Sequence, residues 1–147
     1  MGEGLKTKIG SAGGYINAAC RKSPETDLTV RLVRVLHEAE AMKVLKSDLV
    51  WWHTANEGKL RSAVEGALRK AMGVKAGAPD FVFILGPRAV IVELKGPAGS
   101  LSPEQRLMRE QIHAQGGIYA VCKSVEAVFA ALDEAGMLKE GTSWSRK

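Results

Sequence analysis

The chain has little cysteine, no long apolar run and no internal repeat. Its two cysteines, Cys20 and Cys122, have no second ligand at metal-site spacing, which excludes a disulfide-stapled secreted fold and a cysteine-based zinc module. A reducing, cytoplasmic setting is the expectation. No apolar stretch approaches the roughly 18 residues needed to cross a bilayer. The opening "MGEGLKTKIGSAGGYINAAC" also lacks the apolar core of a secretory leader. A soluble chain with no membrane partner follows.

What is present suits one ordinary globular domain. At 147 residues, 46% hydrophobic and 25% charged, the chain is long enough to bury a core without staples and short for two. Its net charge of +5 favours a polyanion, because Lys and Arg near phosphates release condensed counterions. A solvated basic surface gives the same number, so charge alone does not choose a function.

Residues 1–22 are rich in Gly, Ala and Lys and lack periodicity, which predicts an arm or docking segment. The ordered domain is expected over residues 23–138, and residues 139–147 read as a frayed basic tail. The domain opens with "SPETDLTVRLVRVLHEAEAMKVLK". Ser23 suits an N-cap, Pro24 the first helical position, and Glu25 and Asp27 the positive end of the helix dipole. Leu28, Leu32, Val35, Leu36 and Ala39 then recur at helical spacing.

"DLVWWHT" predicts a short strand, and "SAVEGALRKAMG" a short helix. Two further strands, over residues 81–85 and 89–94, flank the compact turn Gly86-Pro87-Arg88; so short a link predicts an antiparallel hairpin. Ser102-Pro103-Glu104-Gln105 reads as a capping box opening another helix, with Leu107, Met108 and Ile112 as its apolar stripe. "IYAVC" is a buried strand that the intervening helix allows to lie parallel to the strand carrying Glu93. Ser124 caps a last helix. The order α-β-(α)-β-β-α-β-α predicts an α/β fold, a mixed central sheet flanked by helices.

The stretch "GAPDFVFILGPRAVIVELKG" sets ionisable groups among apolar runs. Alternation puts Glu93 and Lys95 on one face of their strand with Ile91, and Val90, Val92 and Leu94 on the other. Pairing across the hairpin brings Asp80 beside the end of that strand, so two carboxylates and an ammonium converge. Carboxylate oxygens suit Mg²⁺ or Mn²⁺. A lysine beside them can orient a water or neutralise charge developing on a phosphate.

Pro79-Asp80, followed thirteen residues later by Glu93-Leu94-Lys95, resembles the PD-(D/E)xK nuclease signature. The wider run "WWHTANEGK … GVKAGAPDFVFI … AVIVELKGPAGSLSPEQ … GGIYAVCKSVEAV" resembles the stand-alone VRR-Nuc family of phage and bacterial nucleases. The resemblance runs over about residues 23–135, and implies a restriction-endonuclease-like fold in a bacterial cell or a phage-infected host. It implies hydrolysis of DNA phosphodiester bonds with Mg²⁺ or Mn²⁺ and no small-molecule cofactor. It further implies a homodimer acting on branched, four-way or duplex DNA.

By that resemblance Asp80, Glu93 and the Leu94 backbone carbonyl hold the metal, Lys95 handles the water, and a first-helix glutamate and Gln105 complete the site. Glu25, Glu38 and Glu40 are the candidates for that glutamate. Glu25 shares the stripe of Leu28, Leu32 and Leu36, whereas Glu38 lies roughly 220° further round the helix, so Glu25 is preferred. Gln105 has a competing use in the capping box. His53 reads either as a phosphate contact or as a packed polar side chain, and Asn56 lies in a loop near the substrate entrance or in plain turn chemistry. Lys59, Arg61, Arg69, Lys70 and Lys75 form the densest basic region, suited to phosphate or to water. The competing function is a non-catalytic module binding DNA or a replication partner; RNA hydrolysis by the same chemistry is a third.

Overall fold

The computed structural model describes residues 23–54 and 62–142. In chain order its elements are α1 (Pro24–Ala41), β1 (Val50–His53), α2 (Ala63–Ala71), β2 (Phe81–Leu85), β3 (Arg88–Leu94), α3 (Pro103–Ala114), β4 (Ile118–Cys122) and α4 (Val125–Glu134). The four strands form one sheet in the order β1-β2-β3-β4. β1 pairs antiparallel with β2 and β2 antiparallel with β3, whereas β4 pairs parallel with β3. This is the mixed sheet flanked by helices that the sequence predicts, consistent with a restriction-endonuclease-like fold.

Local chemistry starts and stops the elements. Ser102 and Ser124 cap α3 and α4 through their hydroxyls, whereas Ser23 stands at the N-cap of α1 with no side-chain cap bond. There Pro24 and the first-turn acids do the work of starting the helix. The hairpin turn is one residue tighter than expected. Gly86, at φ +57, and Pro87 make the turn, and Arg88 already pairs with Leu85. Arg88 Nη1 donates to the Ala135 carbonyl at 2.7 Å, so the same residue closes the hairpin and satisfies the C-terminal end of α4.

The core lies on one sheet face, where α1 and α4 pack on each other and on the strands. Leu32, Val35 and Leu36 of α1, Phe81, Phe83, Val90 and Val92 of the hairpin, and Val128, Phe129 and Leu132 of α4 are fully buried there. Trp51 joins this layer with its ring 6.4 Å from those of Phe81 and Phe83; Trp52, one residue on, faces the other way and is exposed. Cys122 is buried in the core, and burial pushes its thiol up to about 11, which makes it inert. After α4 the chain returns to the segment that follows α1. Leu138 bridges Leu45, and the Lys139 N–H donates to the Val44 carbonyl at 2.8 Å. Helix α3 lies on the opposite face against β4.

Candidate active site

Hairpin register creates the site. Phe81 pairs with Val92, so Asp80, the residue before β2, meets the end of β3. One Asp80 oxygen, Oδ2, accepts the Leu94 N–H at 2.7 Å. The Asp80 carbonyl accepts the Thr54 N–H at 2.7 Å, tying β1 to the same corner. Glu93 is only 3% exposed. Its Oε1 accepts from Gln105 Nε2 and lies 3.5 Å from Lys95 Nζ. Its Oε2 is buried with no hydrogen-bond partner among the described residues.

The remaining groups arrive from two helices. Glu25, in the first turn of α1, accepts the Gly96 N–H at 3.2 Å through Oε1, just beyond β3. Gln105 serves two masters at once. Its Oε1 accepts the Ser102 N–H at 2.9 Å while its own N–H donates to Ser102 Oγ, completing the capping box, and its Nε2 donates to Glu93. The expected competition for one amide therefore does not arise, because the cap uses the oxygen and the carboxylate uses the nitrogen. Two glycines permit the close approach. A Cβ on Gly77 would sit 2.6 Å from the Glu104 carbonyl and 2.8 Å from Gln105 N, and one on Gly99 would lie 3.2 Å from Glu25 Oε1.

These side chains share one open cleft of about 1160 Å³. Glu25, Asp80, Glu93, Lys95 and Gln105 line it together with Arg69 and Lys70 of α2 and Lys75 of the following loop. Arg69 is held by Glu65 at 2.8 Å. The other candidates lie elsewhere. Glu38 is 3.9 Å from Arg34, and Glu40 accepts Trp51 Nε1 at 2.7 Å and faces His37 at 3.2 Å. His53 packs its ring 4.8 Å from that of Phe81 and is not among the cleft residues. Asn56, Lys59 and Arg61 lie outside the described residues.

Burial, with the neighbouring Asp80 charge, raises the Glu93 carboxyl to about 7 against the opposing pull of Lys95; Glu25 adds to the rise. A cation would remove that cost. The donors fit a hard divalent ion: carboxylate and carbonyl oxygens, among them Glu93 Oε2, buried and without a hydrogen-bond partner among the described residues. No group of three or more His, Cys, Asp or Glu side chains placed to hold a metal occurs among the described residues. One or two protein carboxylates with water is the usual Mg²⁺ arrangement.

Sequence reading missed Thr29 and the Gly96 amide. Thr29 is nearly buried at the cleft, its hydroxyl donating to the Glu25 carbonyl at 2.9 Å. Its position four residues after Glu25 on the inward stripe was the available signal.

A hairpin that delivers two carboxylates and a lysine to the end of a mixed α/β sheet defines a nuclease-type class of domain. Such domains act on DNA and generally use divalent metal ions. The family model described as VRR-NUC domain matches residues 16–126, and the chain belongs to that family. Comparison with curated proteins and with solved structures returns no match. Among the described residues no helix is long and apolar enough to cross a membrane.

Proposed function

We propose that the protein is a Mg²⁺- or Mn²⁺-dependent endonuclease that hydrolyses DNA phosphodiester bonds, acting as a homodimer on branched or four-way junction DNA. The observation that carries this reading is the convergence of Asp80, Glu93 and Lys95, with Glu93 Oε2 buried and without a hydrogen-bond partner among the described residues. Asp80, Glu93 and the Leu94 carbonyl would hold the cation. When bound, it supplies charge that polarises the scissile phosphate and makes the attacking water more acidic.

The chain's own residues do the rest. Lys95, whose side chain is 12% exposed and sits beside Glu93, holds the water in line and offsets negative charge gathering on the phosphate. Gln105 fixes the Glu93 carboxylate through its amide nitrogen. Glu25 orients the backbone after β3 through the Gly96 N–H. Lys70 and Lys75 grip flanking phosphates, which positions the backbone without reading bases.

The dimer and the branched substrate rest on resemblance to the stand-alone members of the family. Val50, Trp52 and Ile84, exposed on the outer face of β1 and β2, support a second copy, since monomers seldom leave such a row in water.

Chelator-treated protein should cut no labelled junction, flap or duplex, and Mn²⁺ should restore cutting. Asp80→Ala should abolish cutting while DNA binding survives. Wild-type protein that binds DNA but cuts no form of it with either metal contradicts the enzyme reading and leaves the non-catalytic module. Cutting of RNA but not DNA contradicts the substrate.

A further inference from the structure

Tyr119 has no place in the chemistry above, yet among the described residues it is the buried phenol beside the site. It stands on β4, is 7% exposed, and pairs with Ile91 of β3. Glu93 pairs with Val121, so Tyr119 and Glu93 share a sheet face as diagonal neighbours across the parallel β3–β4 pair. The Tyr119 hydroxyl is buried without a hydrogen-bond partner among the described residues. A phenol both donates and accepts, and a buried one that does neither is costly to keep.

The second orphan on this face is Glu93 Oε2, a pure acceptor when ionised. Its sister oxygen is already engaged by Gln105 and Lys95. The two groups also feel each other. Burial and the charges of Glu93 and Asp80 push the phenol above the ordinary tyrosine range, opposed only by Arg109. Held neutral, the hydroxyl stays a donor. A buried donor and a buried acceptor on one face, both lacking partners among the described residues, are the pair that a single internal water satisfies.

We propose that Tyr119 is a positioning residue for Glu93, its hydroxyl donating through one bound water to Oε2 and so fixing the carboxylate for a divalent cation. Each carboxylate oxygen has two lone pairs, so Oε2 accepts this bond and still faces a cation. Gln105 holds the carboxylate from one side and Tyr119 from the other. The inference rests on the reading of Glu93 as a metal ligand.

The test is Tyr119→Phe in the full chain, with Ile91→Val as a control for repacking of the same face. Mn²⁺ alone is titrated by following free Mn²⁺ in its paramagnetic resonance signal. Loss of an outer hydrogen bond to a ligand typically weakens metal binding 10–100-fold. Tyr119→Phe should therefore bind Mn²⁺ about tenfold more weakly, with the melting temperature of the metal-free protein unchanged or slightly lowered because one water-mediated hydrogen bond is gone. Ile91→Val should keep wild-type Mn²⁺ affinity. If DNA is cut, half-maximal Mn²⁺ should rise in parallel while the rate at saturating Mn²⁺ stays close to wild type.

Unchanged Mn²⁺ affinity in Tyr119→Phe overturns the proposal, as does an equal loss in Ile91→Val. A wild-type protein that binds no Mn²⁺ overturns it together with the role of Glu93. Weaker Mn²⁺ binding by Tyr119→Phe in a protein that cuts no DNA supports this proposal and overturns only the nuclease reading.

Discussion

Glu93 shows how one residue couples stability to chemistry. A carboxylate placed 3% exposed at a strand end is costly unless it is paired or neutral. Lys95 and Gln105 pair it only through Oε1, and its carboxyl is raised from 4.5 to about 7. Between those values the folded chain holds a proton that the unfolded chain has released. Stability from this group is therefore full below about 4.5 and is lost as pH rises through about 7. In metal-free protein, the urea midpoint should fall more between pH 5 and pH 8 for wild type than for Glu93→Gln. Equal falls contradict the assignment. A divalent ion competes with the same proton, so saturating Mn²⁺ should flatten the wild-type difference and chelation should restore it.

At this scale the sequence was informative about identity and less so about use. Asp80, Glu93 and Lys95 were legible because alternation and a short turn fix their positions. Glu25 could be preferred over Glu38 and Glu40 by helical angle alone, and it is Glu25 that lines the cleft. The double engagement of Gln105 was not legible, since a sequence shows one amide and not the direction of its two ends. Tyr119 was hidden for another reason: the parallel pairing of β3 with β4 was foreseeable, but no short turn sets its register.

At the scale of elements, the site depends on how tightly α3 is seated. Its N-terminus carries Gln105, and the loop after α2 passes against it at Gly77, whose φ of +77 and missing Cβ permit the contact. Gly77→Ala forces a methyl group to within 2.6 Å of the Glu104 carbonyl. Backbone atoms cannot swing aside as a side-chain tip can, so Gln105 and Asp80 should separate. Gly73, at φ +83, has nothing within 4 Å of an added Cβ. Gly73→Ala should cost about 1 kcal/mol for the left-handed backbone alone. Gly77→Ala should cost more, by urea denaturation, and should also slow cutting; a similar cost at both positions contradicts the seating of α3.

Element types were readable because strong local signals agree with tertiary need. Ser-Pro openings mark α1 and α3, and two apolar runs with Gly-Pro between them can only be a hairpin. The boundary error at Arg88 has a tertiary cause. Its guanidinium is drawn to the Ala135 carbonyl, 47 residues away, and no local rule reports that attraction.

Across the whole molecule, the fold separates charge by function. Asp80 and Glu93 come to the cleft from the strand ends, while Lys70 and Lys75 come from α2 and the loop after it, with the Glu65-bound Arg69. A phosphodiester drawn toward the basic side chains would meet the acidic corner only with a cation between them. Net charge of +5 expresses this arrangement in bulk but does not reveal it. If the Asp80, Glu93 and Lys95 corner is a hydrolytic centre, Lys95 is its sharpest probe, because its removal deletes no metal ligand. The decisive measurement is the single-turnover rate of junction cutting by Lys95→Ala at saturating Mn²⁺, with Mn²⁺ and DNA binding measured on the same samples. Lys95→Ala should bind both nearly as wild type and cut at a rate lower by about 10²-fold or more; a rate within about threefold of wild type, at intact binding, rules out a hydrolytic role for this corner.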